Sequence, residues 1–168
     1  LQYLLQRASA DDTLAFGFLD AQGKLAYDAT PRQHLTLSYF GGQSDLDRTR
    51  ARNTAGINST ILADYHFANV QLAHRYAVGE RLLVTNRVAW ARERSAQTNR
   101  LDLSLQGGYY GEWVANSDVQ WRSLKFGTSF RRIRDEGFLA RYNFVPLALR
   151  RRDPWSGTGW RKGAYAGQ

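Results

Sequence analysis

Three acidic residues, Asp102, Glu112 and Asp118, all occupy even-numbered positions of one stretch of the chain. Acid–base catalysis uses pairs of carboxylates. In an extended strand each residue advances the chain by roughly 3.3 Å, so separations of ten and six residues place these groups about 20–33 Å apart. The two carboxyl groups of a glycoside hydrolase lie within about 10 Å of each other. We therefore predict that these three carboxylates are not catalytic partners.

The histidines offer little metal-binding chemistry. Asp64 and His66 share one face of an extended strand, but no third ligand follows nearby, and a structural zinc ion takes four. The chain has no cysteine, which excludes disulfides and thiolate metal sites. It also has no nucleophile elbow, P-loop or dinucleotide-binding fingerprint. We predict that the protein is not an enzyme and holds no metal or other cofactor.

The composition favours a folded protein and excludes several classes. Of the 168 residues 13% are aromatic, which is too many for a disordered chain, and no stretch approaches the roughly 20 apolar residues of a membrane helix. The net charge is +8, but no pattern of a nucleic-acid-binding fold accompanies the arginine clusters. We therefore predict no nucleic-acid partner.

Apolar and polar residues alternate over long stretches of the chain. In residues 101–121 the odd positions are mainly apolar or aromatic and the even positions mainly polar, which is the period of a β-strand with two different faces. Ordinary strands have about 5–6 residues, so a strand of this length is rare in soluble domains. The pattern recurs at residues 34–39, 82–90 and 124–131, and a change of phase predicts a β-bulge near Ala68 and Asn69.

The segments between the alternating stretches differ in length. Short turn signals lie at residues 29–32, 78–81 and 122–123, and longer polar segments lie at residues 45–60, 95–100 and 134–160. The sequence thus predicts an all-β chain of about eight antiparallel strands in an up-and-down meander. Short turns at one end, long loops at the other and two unlike faces are typical of a transmembrane β-barrel of the outer membrane.

In a transmembrane β-barrel of this kind, each set of residues faces lipid, the lumen or a ligand. The predicted lipid-facing residues are Leu35, Leu37, Tyr39, Val84, Val88, Trp90, Leu101, Leu103, Leu105, Tyr109, Trp113, Val119, Trp121, Phe126 and Phe130. The predicted lumen-facing residues are Asp102, Ser104, Gln106, Glu112, Asn116, Asp118 and Gln120. The candidate ligand-facing loop residues are Arg48, Arg50, Arg52, Asn58, Arg150, Arg151 and Arg152.

Residues 25–39, 107–113 and 130–138 resemble strand and turn units of TonB-dependent receptors, and the resemblance extends from about residue 14 onwards. It implies a place in the outer membrane of a Gram-negative bacterium and active uptake of a scarce nutrient such as a siderophore, a cobalamin or a glycan. The partners it implies are the lipid bilayer with its lipopolysaccharide, a plug domain inside the barrel, TonB, and the small-molecule or glycan ligand.

The chain departs from that family in length and at its ends. Such barrels have about 22 strands, whereas 168 residues suffice for about eight. No plug domain or TonB box is visible, the first residue is not methionine, and residues 164–168 lack the usual terminal aromatic side chain. We expect residues 1–168 to form one internal segment of the barrel, which is partial or curled when isolated. A complete small eight-stranded outer-membrane barrel and a soluble lipocalin-like binding barrel remain as alternatives.

Overall fold

The described part of the chain forms a single antiparallel sheet of seven long strands. The computed structural model describes residues 15–143 and 148–167. The strands are β1 (Ala15–Thr30), β2 (Gln33–Asp47), β3 (Leu62–Val78), β4 (Leu82–Thr98), β5 (Ser104–Trp121), β6 (Leu124–Tyr142) and β7 (Leu149–Gly167), and a short 3-10 helix, Thr49–Ala51, follows β2. Each strand pairs with the next in chain order, and the sheet is not closed into a barrel.

The predicted fold class is confirmed: the chain is an all-β antiparallel meander. Seven strands lie in the described ranges, against about eight predicted, and residues 1–14 lie outside those ranges. The three predicted tight turns are also confirmed, because β1–β2, β3–β4 and β5–β6 are joined by two or three residues each. Gly79 and Arg122 adopt φ values of 57° and 55°, the left-handed conformation that tight hairpins favour. Within the described ranges, no helix is long and apolar enough to cross a bilayer.

Continuous pairing divides the sheet into two faces. Directly opposite residues of an antiparallel pair lie on the same face, and β3 pairs with β4 from Leu62–Thr98 to Val78–Leu82 without a shift. One face carries the odd-numbered residues of β1, β2 and β5 and the even-numbered residues of β3, β4, β6 and β7. We call it the banded face and its opposite the polar face.

On the banded face the apolar side chains are concentrated in the half of the sheet nearest the tight turns. This apolar band covers nine residues of each central strand: 70–78 in β3, 82–90 in β4 and 113–121 in β5. Its upper limit is one cross-strand row, the girdle row, formed by Tyr39, Val70, Trp90, Trp113, Arg132 and Trp160. The band stays open to its surroundings, since Leu72, Val88 and Trp113 are 47%, 45% and 51% exposed.

The β-bulge predicted near Ala68 and Asn69 is absent, because β3 pairs with both neighbours through these residues without a shift. The change of phase arises because the apolar side chains of β3 lie on the polar face near the loop end and on the banded face nearer the tight turn. Tyr65 and Phe67 lie on the polar face, where the Phe67 ring contacts Phe40 with centroids 5.0 Å apart. The loop end of the polar face therefore carries an aromatic cluster of its own.

Strand β5 begins three residues later than the alternation predicted, at Ser104. The Asn99 side-chain oxygen accepts the backbone N–H groups of Leu101 and Leu103, at 2.9 and 3.0 Å, and Asp102 adopts φ 60°. These bonds hold residues 99–103 in a tight turn. Leu101 and Leu103, predicted to face lipid, and Asp102, predicted to face the lumen, are consequently turn residues.

Two of the predicted long loops are mostly strand. Residues 95–98 belong to β4, residues 134–142 belong to β6 and residues 149–160 belong to β7. Arg150, Arg151 and Arg152, predicted to lie in a loop, are part of β7, and Pro154 follows in the same strand. The described sheet has β7 at its edge, and an edge strand tolerates proline and clustered charge because one side of its backbone needs no partner.

The buried core of the described residues is small and lies at the end opposite the tight turns. It consists of Ile57, Ile61, Leu105 and Ala140, with the buried side chain of Asn99. Leu105, predicted to face lipid, is only 5% exposed and packs in this core, because a register shift next to Thr98 makes room for it. The rest of the sheet is a single layer.

This core predicts where large-to-small substitutions cost most. Ile61→Ala should lower the free energy of unfolding by about 2–5 kcal/mol, since Ile61 is completely buried. Leu149→Ala, at a position 52% exposed and outside the apolar band, should change it by less than about 0.5 kcal/mol. Urea titration of the refolded protein measures both, and equal effects would contradict a core confined to the loop end.

Candidate functional site

Two connecting segments pack against each other at the loop end of the sheet. We call residues 48–61 and 99–103 the loop cap. The Arg52 guanidinium donates two hydrogen bonds to the Asp102 carboxylate, each 3.0 Å long, and Arg100 donates to the carbonyl oxygen of Ala55 at 3.1 Å. Arg52, predicted to face a ligand, thus serves to join the two segments.

Asn58 attaches the loop cap to β6. Its side-chain amide donates to the carbonyl oxygen of Tyr142 at 2.9 Å, and its side-chain oxygen accepts the Tyr142 backbone N–H at 2.8 Å. The Tyr142 hydroxyl in turn donates to the carbonyl oxygen of Ser104 at 3.1 Å. Asn58, also predicted to face a ligand, therefore acts as a structural clamp across 84 residues of sequence.

The loop cap begins with a turn fixed by Asp47. The Asp47 carboxylate accepts the Thr49 backbone N–H at 2.8 Å, and this bond, with the Thr49 hydroxyl and then Arg50 and Arg52, lowers the pKa of Asp47. The backbone N–H of Arg48 donates to the carbonyl oxygen of Ile61 at 2.8 Å, which closes the loop. The lowered pKa keeps the Asp47 carboxylate ionised, and able to hold this turn, in moderately acidic conditions.

The polar face carries a hydrogen-bonded network across β5 and β6. The Tyr110 hydroxyl donates to Glu112 at 2.6 Å, and Arg131 forms an ion pair with the same carboxylate, whose side chain is 16% exposed. Further towards the tight turns, Asp118 accepts the Tyr165 hydroxyl at 2.8 Å. The two carboxylates thus have separate partners, and Tyr110, Arg131 and Tyr165 are participants that sequence reasoning missed.

Most of the predicted residue sets share the face that alternation assigned them. The banded face holds Leu35, Leu37, Tyr39, Val84, Val88, Trp90, Tyr109, Trp113, Val119, Trp121, Phe126 and Phe130. Leu105 lies in the register shift next to Thr98 and has no cross-strand partner there. The polar face holds Gln106, Glu112, Asn116, Asp118 and Gln120. Ser104 lies beyond the register shift next to Thr98, so alternation does not assign its face.

A group of arginines just above the girdle row was not predicted as a site. Arg92, Arg94 and Arg134 lie on the banded face, on the side of the girdle row away from the apolar band. Tyr109 lies among them, with the guanidinium carbons of Arg92 and Arg134 each 5.5 Å from its ring centroid. The signal was present in the sequence, because these arginines continue the phase of Val88, Trp90 and Phe130.

The histidines form no larger cluster with acidic residues. His66 Nε2 and Asp64 Oδ2 are 3.8 Å apart on the banded face. Across residues 15–143 and 148–167, no group of three or more side chains of the metal-binding types comes together.

No family model, no curated protein and no solved structure matches this chain. The resemblance to TonB-dependent receptors therefore remains a prediction from the strand and turn patterns.

The Asn58 clamp can be tested by amide hydrogen exchange. Two hydrogen bonds worth about 0.5–1.5 kcal/mol each hold Tyr142, so Asn58→Ala should raise exchange at the Tyr142 amide at least about fivefold. Asn53→Ala, at an exposed position of the same loop, is the matched control and should leave that amide unchanged. An unchanged exchange rate in the Asn58 variant would show that the loop cap does not hold β6.

Proposed function

We propose that this chain is part of the wall of an outer-membrane β-barrel, of the kind found in TonB-dependent receptors. One observation carries the proposal: an exposed apolar band, nine residues tall, on one face of a sheet whose strands are much longer than the band. A strand that crosses a bilayer needs about 9–11 residues when tilted. The band therefore matches the hydrocarbon layer, and the rest of each strand would project beyond it.

The girdle row supports this orientation. Trp90 and Trp113 lie side by side with ring centroids 6.3 Å apart, and Trp160 contacts Phe130 at 5.4 Å. Tryptophan and tyrosine are enriched at membrane interfaces because their rings are apolar and their polar atoms reach water. Transmembrane barrels carry such aromatic girdles at the edges of the apolar band.

The polar side chains inside the band are compatible with lipid because they bond to one another. Asn86 accepts the Ser117 hydroxyl at 2.7 Å and lies 3.4 Å from His74 Nδ1, so three strands contribute to one short chain of polar groups. Lys162 lies in the row next to Trp160. A lysine at this height can extend its aliphatic stem through the band and place its ammonium at the interface.

The two outer edges of the sheet imply further strands. Within the described ranges β1 and β7 each have one partner strand, and an unpaired strand edge is not tolerated in lipid because its backbone groups lack hydrogen-bond partners. In the proposed receptor the parts of these edges inside the apolar band pair with other strands of a larger barrel, whereas residues 150–154 of β7 lie beyond the girdle row and can remain an edge. The polar face then lines a lumen that holds a plug domain.

The loop cap and the strand extensions provide the outer rim in this proposal. The cap lies at the end opposite the tight turns, and outer-membrane barrels place their longer connections outside the cell. A siderophore, cobalamin or glycan would be captured at this rim and released inward when TonB displaces the plug. The tight turns at Gly79 and Arg122 would face the periplasm.

A pair of adjacent substitutions tests the orientation. Leu72 and Gln71 are neighbours in β3, on the banded and polar faces respectively, and Leu72 lies inside the apolar band. Leu72→Arg should destabilise the full-length protein in lipid vesicles by about 2–4 kcal/mol, since a charge would enter hydrocarbon. Gln71→Arg should cost much less, because it would face the aqueous lumen. Unfolding free energies in urea measure both.

The same pair separates the proposal from an open water-soluble sheet, and behaviour without detergent separates it from a soluble barrel. Leu72 is already 47% exposed, so in a water-soluble sheet of this form Leu72→Arg would change stability by less than about 0.5 kcal/mol. In a lipocalin-like barrel with the apolar band inside, the protein would stay monomeric without detergent. Either result would contradict the outer-membrane proposal.

A further inference from the structure

The basic side chains above the girdle row have a definite geometry. Arg92 on β4 and Arg134 on β6 flank Gly111 of β5, since all three occupy one cross-strand row. A Cβ atom at Gly111 would lie 2.7 Å from the Tyr109 hydroxyl oxygen, so the missing side chain leaves room for the Tyr109 ring to lie over the backbone. Arg94 is directly opposite Tyr109. We call Arg92, Arg94, Arg134 and Tyr109 the arginine cradle.

The cradle has an excess of positive charge. Arg134 forms an ion pair with Glu136 at 3.1 Å, whereas Arg92 and Arg94 have no acidic partner within 4 Å among the described residues. Arg132, in the row below, lies over the Trp160 ring at 4.9 Å. All four arginines are exposed residues. Arg134 uses Nε and Nη2 to bond Glu136, so the guanidinium groups of Arg92 and Arg94 are the main donors that an external anion can reach.

We infer that the arginine cradle binds the phosphate groups of anionic lipid headgroups in the outer leaflet. This rests on the proposed function, which places the apolar band in the hydrocarbon. The cradle begins one row beyond Trp90 and Trp113, on the same face as the band, and this is the height at which headgroups meet the protein. Guanidinium groups bind phosphate oxygens through paired, charge-assisted hydrogen bonds.

The position also distinguishes a lipid from the transported ligand. The cradle lies on the banded face, whereas a ligand that enters the barrel meets the polar face and the loop cap. A lipid can place its acyl chains on Val88 and Trp113 while its phosphates reach Arg92 and Arg134. A soluble phosphate compound would contact the arginine cradle alone and would make no stabilising contact with the apolar band.

The test measures lipid binding to the full-length protein in non-ionic detergent by native mass spectrometry, with a bisphosphorylated lipid as the probe. The variant carries Arg92→Gln, Arg94→Gln and Arg134→Gln. The matched control carries Arg75→Gln, Arg87→Gln and Arg161→Gln, three arginines on the polar face of the same sheet. Each basic residue at an anionic lipid surface contributes roughly fivefold, so the cradle variant should bind on the order of a hundredfold more weakly.

Three results support the inference and three would overturn it. It is supported if the control binds like the unmodified protein, if the dephosphorylated lipid binds as weakly as in the cradle variant, and if inorganic phosphate fails to displace the lipid. It is overturned if both triple variants lose binding equally, if the cradle variant keeps its affinity, or if inorganic phosphate competes as well as the lipid, which would indicate a soluble-anion site.

Failure of this inference is distinguishable from failure of the proposed function. Suppose that the cradle variant binds lipid normally and that Leu72→Arg lowers the free energy of unfolding far more than Gln71→Arg does. The lipid site is then refuted and the barrel proposal is retained. Suppose instead that lipid binding depends on the phosphates but that the two β3 substitutions lower the free energy of unfolding equally. The lipid site is then retained and the barrel proposal is refuted.

Discussion

Continuous antiparallel register is the constraint on which the rest of this structure depends. Strands β3 and β4 pair along their full length, and β5 pairs with β6 from Gln106–Leu139 to Trp121–Leu124 without interruption. Because side chains alternate with a period of two, a slip of one residue would exchange the two faces of a strand. The apolar band, the girdle row and the arginine cradle all exist because the six successive strand pairs keep their parity except at strand ends, next to Thr30, Thr98 and Tyr142.

This architecture also leaves the sheet with almost no buried core. Stable domains usually pack two or more layers around one core, whereas the buried side chains described here are confined to the loop end around Ile61 and Asn99. A single-layer sheet with exposed Leu72 and Val88 must obtain its apolar contacts from its surroundings. In the proposed receptor, lipid on the banded face would supply these contacts, and further strands at β1 and β7 would supply the missing backbone partners.

Alternation and turn residues sufficed to predict the fold class, the three tight turns and the shared face of most strand residues. They failed where a local interaction overrides alternation. Asn99 binds two backbone N–H groups and turns residues 99–103 out of the strand, and nothing in the alternation of Leu101, Asp102 and Leu103 indicates this. The hydrogen bonds of Asn58 to Tyr142 are equally invisible, since they join residues 84 positions apart.

The errors at β7 and in β3 have different physical causes. Residues 150–154 combine three arginines, an aspartate and a proline, a composition typical of loops, yet Arg151 pairs with Asp153 at 2.8 Å and Arg152 lies 4.4 Å from the Phe138 ring centroid. These contacts fit an edge strand. In β3 the change of phase predicts a bulge. A regular strand gives the same pattern when its apolar side chains lie on one face at one end and on the other face at the other end.

We propose above all that the banded face of residues 82–90 meets hydrocarbon and that the opposite face meets water. The chain contains no cysteine, so single cysteines at Val84, Thr85, Arg87, Val88 and Arg92 can each carry a spin label in vesicles, and the accessibility of each label to oxygen and to a water-soluble nickel chelate can be compared. The account predicts high oxygen accessibility at Val84 and Val88, high nickel accessibility at Thr85 and Arg87, and loss of the oxygen preference at Arg92. Equal nickel accessibility at all five positions, or an oxygen preference at Thr85 and Arg87, would contradict it.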